Sequence, residues 1–119
     1  MKRNCLFSFN EGESTLTVEL GGDIDHHGAV AVREEIDSEI INLAPQKTVI
    51  DLSGIDFMDS SGLGLIMGRY KLMQKLGGEL TVRNPNSRTV DMFELAGLDR
   101  IVKIEGKVST NYKRKVNKK

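Results

Sequence analysis

Apolar and polar positions alternate with two different periods along this chain, and the change of period marks out its elements. Thr15-Leu16-Thr17-Val18-Glu19-Leu20 alternates residue by residue, with Leu16, Val18 and Leu20 on one face and Thr15, Thr17 and Glu19 on the other. That is the period of a half-buried strand. Cys5-Leu6-Phe7-Ser8-Phe9 reads as a shorter strand before it, and Asn10-Glu11-Gly12-Glu13 has the turn chemistry to join the two as a hairpin. Gly21-Gly22-Asp23-Ile24-Asp25 then leads out of the sheet. The period lengthens next: Ala29, Val32, Ile36, Ile40 and Leu43 recur at three- and four-residue steps, opposite Arg33, Glu34, Glu35, Asp37 and Glu39. This predicts an amphipathic helix from about His27 to Leu43, with Asp25 at its entrance, Gly28 weakening its first turn, and Pro45 closing it.

The remaining elements follow the same logic. Thr48-Val49-Ile50-Asp51-Leu52 is compact and β-branched, as a central strand would be. A second helix is expected from Ser60 to about Leu76, with Leu63, Ile66, Met67, Tyr70 and Met73 on its apolar face and Gly77-Gly78 as its stop. Glu79–Arg83 reads as a strand, Asn84-Pro85-Asn86-Ser87 as a turn and cap, Arg88–Ala96 as a third helix ended by Gly97, and Ile101–Ile104 as the last strand. The order ββαβαβαβ contains three strand–helix–strand crossovers. It predicts a single α/β domain with a mixed, mostly parallel sheet, an antiparallel N-terminal hairpin at one edge, and helices packed on it.

Composition narrows the class. A chain of 119 residues with 39% hydrophobic and 29% charged content is one globular domain able to bury a core. A single cysteine, Cys5, excludes an internal disulfide framework and suits a reducing cytoplasm. No apolar run approaches the roughly 18 residues that span a bilayer, and the apolar part after Met-Lys-Arg is too short for an exported leader. The formal charge is zero, but residues 109–119 hold Lys113, Arg114, Lys115, Lys118, Lys119 and no acid. Without those five, 12 of the 17 basic groups face 17 acidic ones, so residues 1–108 carry a net charge of about −5. An acidic body argues against direct DNA binding, and residues 109–119 are expected to be a solvated, disordered tail.

Polar chemistry is concentrated between Ile55 and Tyr70. Asp59 stands where a helix N-cap belongs, and Ser60 and Ser61 fall in the first turn, where unpaired N–H groups and the helix dipole favour an added anion. A phosphate on either serine suits that position, and the residues alone do not choose between them. Other chemistries fail on spacing. His26 and His27 are adjacent and diverge, with no further ligand to complete a metal site. Neither serine sits in Gly-x-Ser-x-Gly. The glycines at 62, 64 and 68 lack the acidic residue that ends the next strand of a dinucleotide site, and no Walker A lysine is present. Asp51, Asp56 and Asp59 lack the acidic pair and lysine of an aspartate-phosphorylated receiver.

Asp56-Phe-Met-Asp-Ser-Ser-Gly-Leu-Gly-Leu-Ile-Met-Gly-Arg-Tyr70 resembles the phosphorylation motif of STAS-domain anti-sigma-factor antagonists, most closely the sporulation type. Gly22-Asp-Ile-Asp-His-His27 is similar to the family's loop before its first helix, and Met92-Phe-Glu-Leu-Ala-Gly-Leu98 to the end of its third. The resemblance runs over about residues 4–106 and leaves the basic tail outside it. It implies a binding switch and not an enzyme. The unphosphorylated form would bind an anti-sigma factor that is itself a serine kinase, releasing the sigma factor. Phosphorylation of the first serine after the motif aspartate, Ser60, would break that complex, and a PP2C-type phosphatase would reset it. The kinase would consume the ATP, so the chain itself needs no cofactor or metal and is expected to be monomeric when free. By position, Asp25, Asp59, Ser61, Gly62, Leu63 and Gly64 would form the partner-binding surface. A general-stress or scaffold STAS module with another kinase is the alternative the motif leaves open.

Overall fold

A computed structural model describes residues 5–106; the expected basic tail, 109–119, lies outside them. Five strands form one sheet in the order β1 (Cys5–Asn10), β2 (Thr15–Ile24), β3 (Lys47–Met58), β4 (Glu79–Arg83) and β5 (Lys103–Glu105). β1 and β2 pair antiparallel, and each later pair is parallel. The expected hairpin at the edge of a mostly parallel sheet is present, and the run beginning at Thr48 belongs to the middle strand. α1 (His26–Leu43), α2 (Ser61–Lys75) and α3 (Ser87–Ala96) fill the crossovers.

The core lies between the sheet and the helices. Leu16, Val18 and Leu20 of β2, Ile50 and Leu52 of β3, Ala29, Val32, Ile36 and Ile40 of α1, and Ile66 and Met73 of α2 share one buried cluster. Phe93 of α3 and Leu98 enter the same cluster. Burying such side chains at roughly 25 cal/mol per Å² is the main driving force holding the layers together.

Several boundaries differ from the sequence reading. β2 does not end at Leu20; it continues to Ile24, with register shifts between Glu19 and Gly21 and between Gly22 and Asp23. β3 likewise runs through Ser53-Gly54 to Met58. The glycines there permit close backbone approach within the sheet instead of ending it: a Cβ on Gly54 would stand 3.0 Å from the Leu20 carbonyl oxygen. α1 starts at His26, so Gly28 does not shorten it; its N–H is bound by the Asp25 carboxylate at 2.9 Å. The last strand is shorter and later than expected, because a single 3₁₀ turn, Leu98–Arg100, follows Gly97.

The inward face of α2 also differs. Gly62, Leu65, Ile66, Arg69 and Met73 are buried, whereas Leu63, Met67 and Tyr70 are only partly covered. An arginine inside the core needs a partner. Arg69, 6% exposed, has its Nε 2.8 Å from Asp37 Oδ1 of α1, too far out of line for a hydrogen bond. Its Nη2 donates to Asp37 Oδ2 at 3.3 Å and its Nη1 to the Leu65 carbonyl at 3.1 Å. Burial lowers the Arg69 pKa and the Asp37 charge opposes that shift. The pair ties α1 to α2.

Candidate functional site at the ends of two parallel strands

The extension of β2 and β3 decides where the polar residues meet. Ile24 pairs with Met58 in parallel register, so the next residue on each strand, Asp25 and Asp59, leaves the same edge of the sheet beside the other. The Asp59 N–H donates to the Ile24 carbonyl at 3.3 Å and joins the two exits through backbone alone. α1 and α2 start there. The carboxyl ends of parallel strands are where α/β sheets commonly place their binding sites.

Each aspartate organises a helix entrance. Asp25 is the N-cap of α1, with its side chain accepting from Gly28 N–H. Asp59 caps differently from expectation. The N-cap position of α2 belongs to Ser60, and the helix begins at Ser61, not at Ser60. Asp59 Oδ1 nevertheless accepts from Ser61 N–H at 2.8 Å, and its carbonyl from Gly62 N–H at 2.9 Å. It therefore serves the first turn from one residue further out.

That arrangement leaves the Ser60 hydroxyl available. Ser60 is exposed, its carbonyl accepts from Leu63 N–H at 3.1 Å, and its side chain makes no capping bond. A serine at an N-cap ordinarily uses its oxygen on the helix; here Asp59 has taken that task. Ser61 is half-buried and faces the start of α1.

The other expected site residues fall into different settings. Gly62 is buried, and a Cβ there would lie 2.2 Å from Met58 Cγ, so packing explains this glycine without a partner. Leu63 is half-buried against the core, and Gly64 is exposed. Phe57, two residues before Asp59, is 44% exposed. His26 and His27 are both exposed, with ring centroids 6.0 Å apart and planes at 63°. No cluster of metal-ligating side chains occurs among the described residues, and no helix there is long and apolar enough to cross a membrane.

The cap and the charge of Asp25 are separable by substitution. Asp25→Ala is expected to cost about 1 kcal/mol through loss of the cap, whereas Asp25→Asn keeps an acceptor for Gly28 N–H and stays within about 0.5 kcal/mol. Urea unfolding of the two variants checks this.

Residues 7–111 match the STAS domain family. An anti-sigma F factor antagonist from Paenibacillus polymyxa is 37% identical over 101 residues, covering 85% of this chain and 86% of that protein. An anti-sigma-B factor antagonist from Bacillus subtilis (strain 168) is 33% identical over 106 residues, covering 87% and 94%. Among solved structures, the anti-sigma factor antagonist SpoIIAA in its unphosphorylated form superposes with a TM-score of 0.74 at 23% identity, over 97% of both chains, which bears out the fold.

Proposed function

The chain belongs to the STAS domain family, and from that membership we propose that it is an anti-sigma-factor antagonist switched by phosphorylation at Ser60. The unphosphorylated form binds an anti-sigma factor, which thereby releases its sigma factor and lets transcription proceed. The anti-sigma factor is also the serine kinase that uses ATP to modify Ser60, and a PP2C-type phosphatase restores the active form. The chain itself catalyses nothing and carries no cofactor. The process belongs in the cytoplasm, where sigma factors work.

One observation carries the choice of Ser60. Its hydroxyl is exposed and free of the helix because Asp59 caps the first turn in its place. A phosphate adds about −1.5 to −2 charges, which the N-terminus of α2 tolerates in the free protein. At an interface beside Asp59 and Asp25 the same charge would repel acidic groups and resist desolvation. The relative named for sigma F favours a sporulation pathway; the equally well-covered relative named for sigma B keeps a general-stress pathway as the second reading.

The test is direct. The protein is incubated with Mg-ATP and the anti-sigma factor, and the modified residue is identified by fragmentation mass spectrometry. A phosphoester on Ser60 that resists hydroxylamine is expected. An acyl phosphate on an aspartate, or phosphate confined to Ser61, would overturn the assignment.

A further inference from the structure

Between the N-terminal halves of α1 and α2, next to Ser61, runs a groove of about 230 Å³. Its floor is apolar, formed by the buried side chains of Ala29 and Leu65. Its rim carries Val30, 38% exposed, on α1 and Gly64 on α2, with His26 and Arg33 at the sides. The volume falls below the roughly 300–1,000 Å³ of small-molecule sites, and it suits an inserted side chain better than a cofactor.

Two features of the groove have no use inside the domain. Gly64 lies within a helix, where glycine is destabilising relative to alanine. A Cβ there would meet nothing within 4 Å, so the fold does not require its absence. Arg33 makes no hydrogen bond or ion pair among the described residues. Helical spacing would offer it Asp37 four residues on, but Asp37 is committed to Arg69. Arg33 is thus an exposed cation with no ion-pair partner among the described residues, its charge opposing that of Arg69, on a body with a net negative charge. A bare apolar slot beside an unpaired cation specifies its complement.

We propose that this groove receives an apolar side chain of the anti-sigma factor flanked by an acidic residue. The apolar group lies over Ala29 and Leu65 against Gly64, and the carboxylate meets Arg33. This deepens the antagonist reading and rests on it. It adds an α1 wall, Val30 and Arg33, to the surface at the start of α2, and it gives the partner a stated chemistry.

Calorimetric titration of the unphosphorylated full chain with the anti-sigma factor, in the absence of ATP, tests the groove. Gly64→Leu, which fills it, and Arg33→Glu, which reverses its charge, are each expected to weaken binding at least tenfold, with melting temperatures close to that of the parent. Arg33→Lys keeps part of the affinity, and raising the salt concentration narrows the gap between Arg33→Glu and the parent. Should Arg33→Glu unfold, Arg33→Gln replaces it, with a smaller loss expected. Parent binding with both variants equally tight would overturn the groove and leave the antagonist reading intact. Parent chain that does not bind at all would overturn the antagonist reading and the groove's occupant with it.

Discussion

Ser60→Ala is expected to remain bound to the anti-sigma factor in the presence of ATP, under conditions where the parent chain is phosphorylated and released. The substitution removes a hydroxyl that makes no capping bond, so stability should change by no more than about 0.5 kcal/mol. What it removes is the proposed acceptor for phosphate. Ser60→Asp is the converse: it places a permanent charge beside Asp59 at the edge shared with Asp25. An interface penalty of ~2.7 kcal/mol weakens binding about a hundredfold, and loss of this order is expected for the aspartate variant. Size-exclusion or calorimetric measurement of the complex, with and without ATP, gives the answer. Normal phosphorylation of Ser60→Ala would end the assignment, because the phosphate would then reside elsewhere.

The second large effect concerns stability. Asp37→Ala leaves Arg69 almost fully buried without its counter-charge. Breaking a buried pair in this way costs about 3–5 kcal/mol, and a value near the lower end is expected, since about a third of the Asp37 side chain is in solvent. For a chain of 119 residues each kcal/mol moves the midpoint by about 4 °C, so the thermal midpoint should fall by roughly 12 °C or more. Replacing both partners, as Asp37→Leu with Arg69→Met, is expected to recover most of the loss, since well-packed apolar groups often match a buried ion pair. A double-mutant cycle would show that coupling. If Asp37→Ala unfolds within a degree or two of the parent, the pair contributes little and α1 and α2 are held by apolar packing alone.

The fold was largely legible because its hydrophobic periods are regular: the alternation at 15–20 and the three- and four-residue steps of α1 gave both elements and their inward faces. Glycines caused the main misreadings. Gly21-Gly22 and Ser53-Gly54 have turn composition, yet they lie within long strands where a register shift needs room, a distinction that depends on the neighbouring strand. Arg69 was invisible for a related reason. Nothing local marks an arginine as buried, and its partner is 32 residues away on another helix. At the site, the sequence reading put Asp59 at the N-cap and Ser60 in the first turn, whereas the helix begins one residue later, with Ser60 at the N-cap position. Only the geometry shows that Asp59 caps from outside and leaves Ser60 unused. The proximity of Asp25 to Asp59 depends on the parallel pairing of Ile24 with Met58, which local patterning does not encode.

The backbone bond from Asp59 to the Ile24 carbonyl has a consequence for how such proteins diversify. Because a main-chain bond and the two capping aspartates hold the strand exits together, exposed side chains on the neighbouring helix, such as Val30 and Arg33, are not needed to shape that edge. Duplicated copies of the gene within one cell could therefore exchange residues such as Val30 and Arg33 while keeping the same corner of Asp25, Asp59 and Ser60. Each copy would answer to its own kinase and ignore the others, through mismatched contacts alone. Insulation between parallel signalling lines then requires only surface changes, and no new architecture.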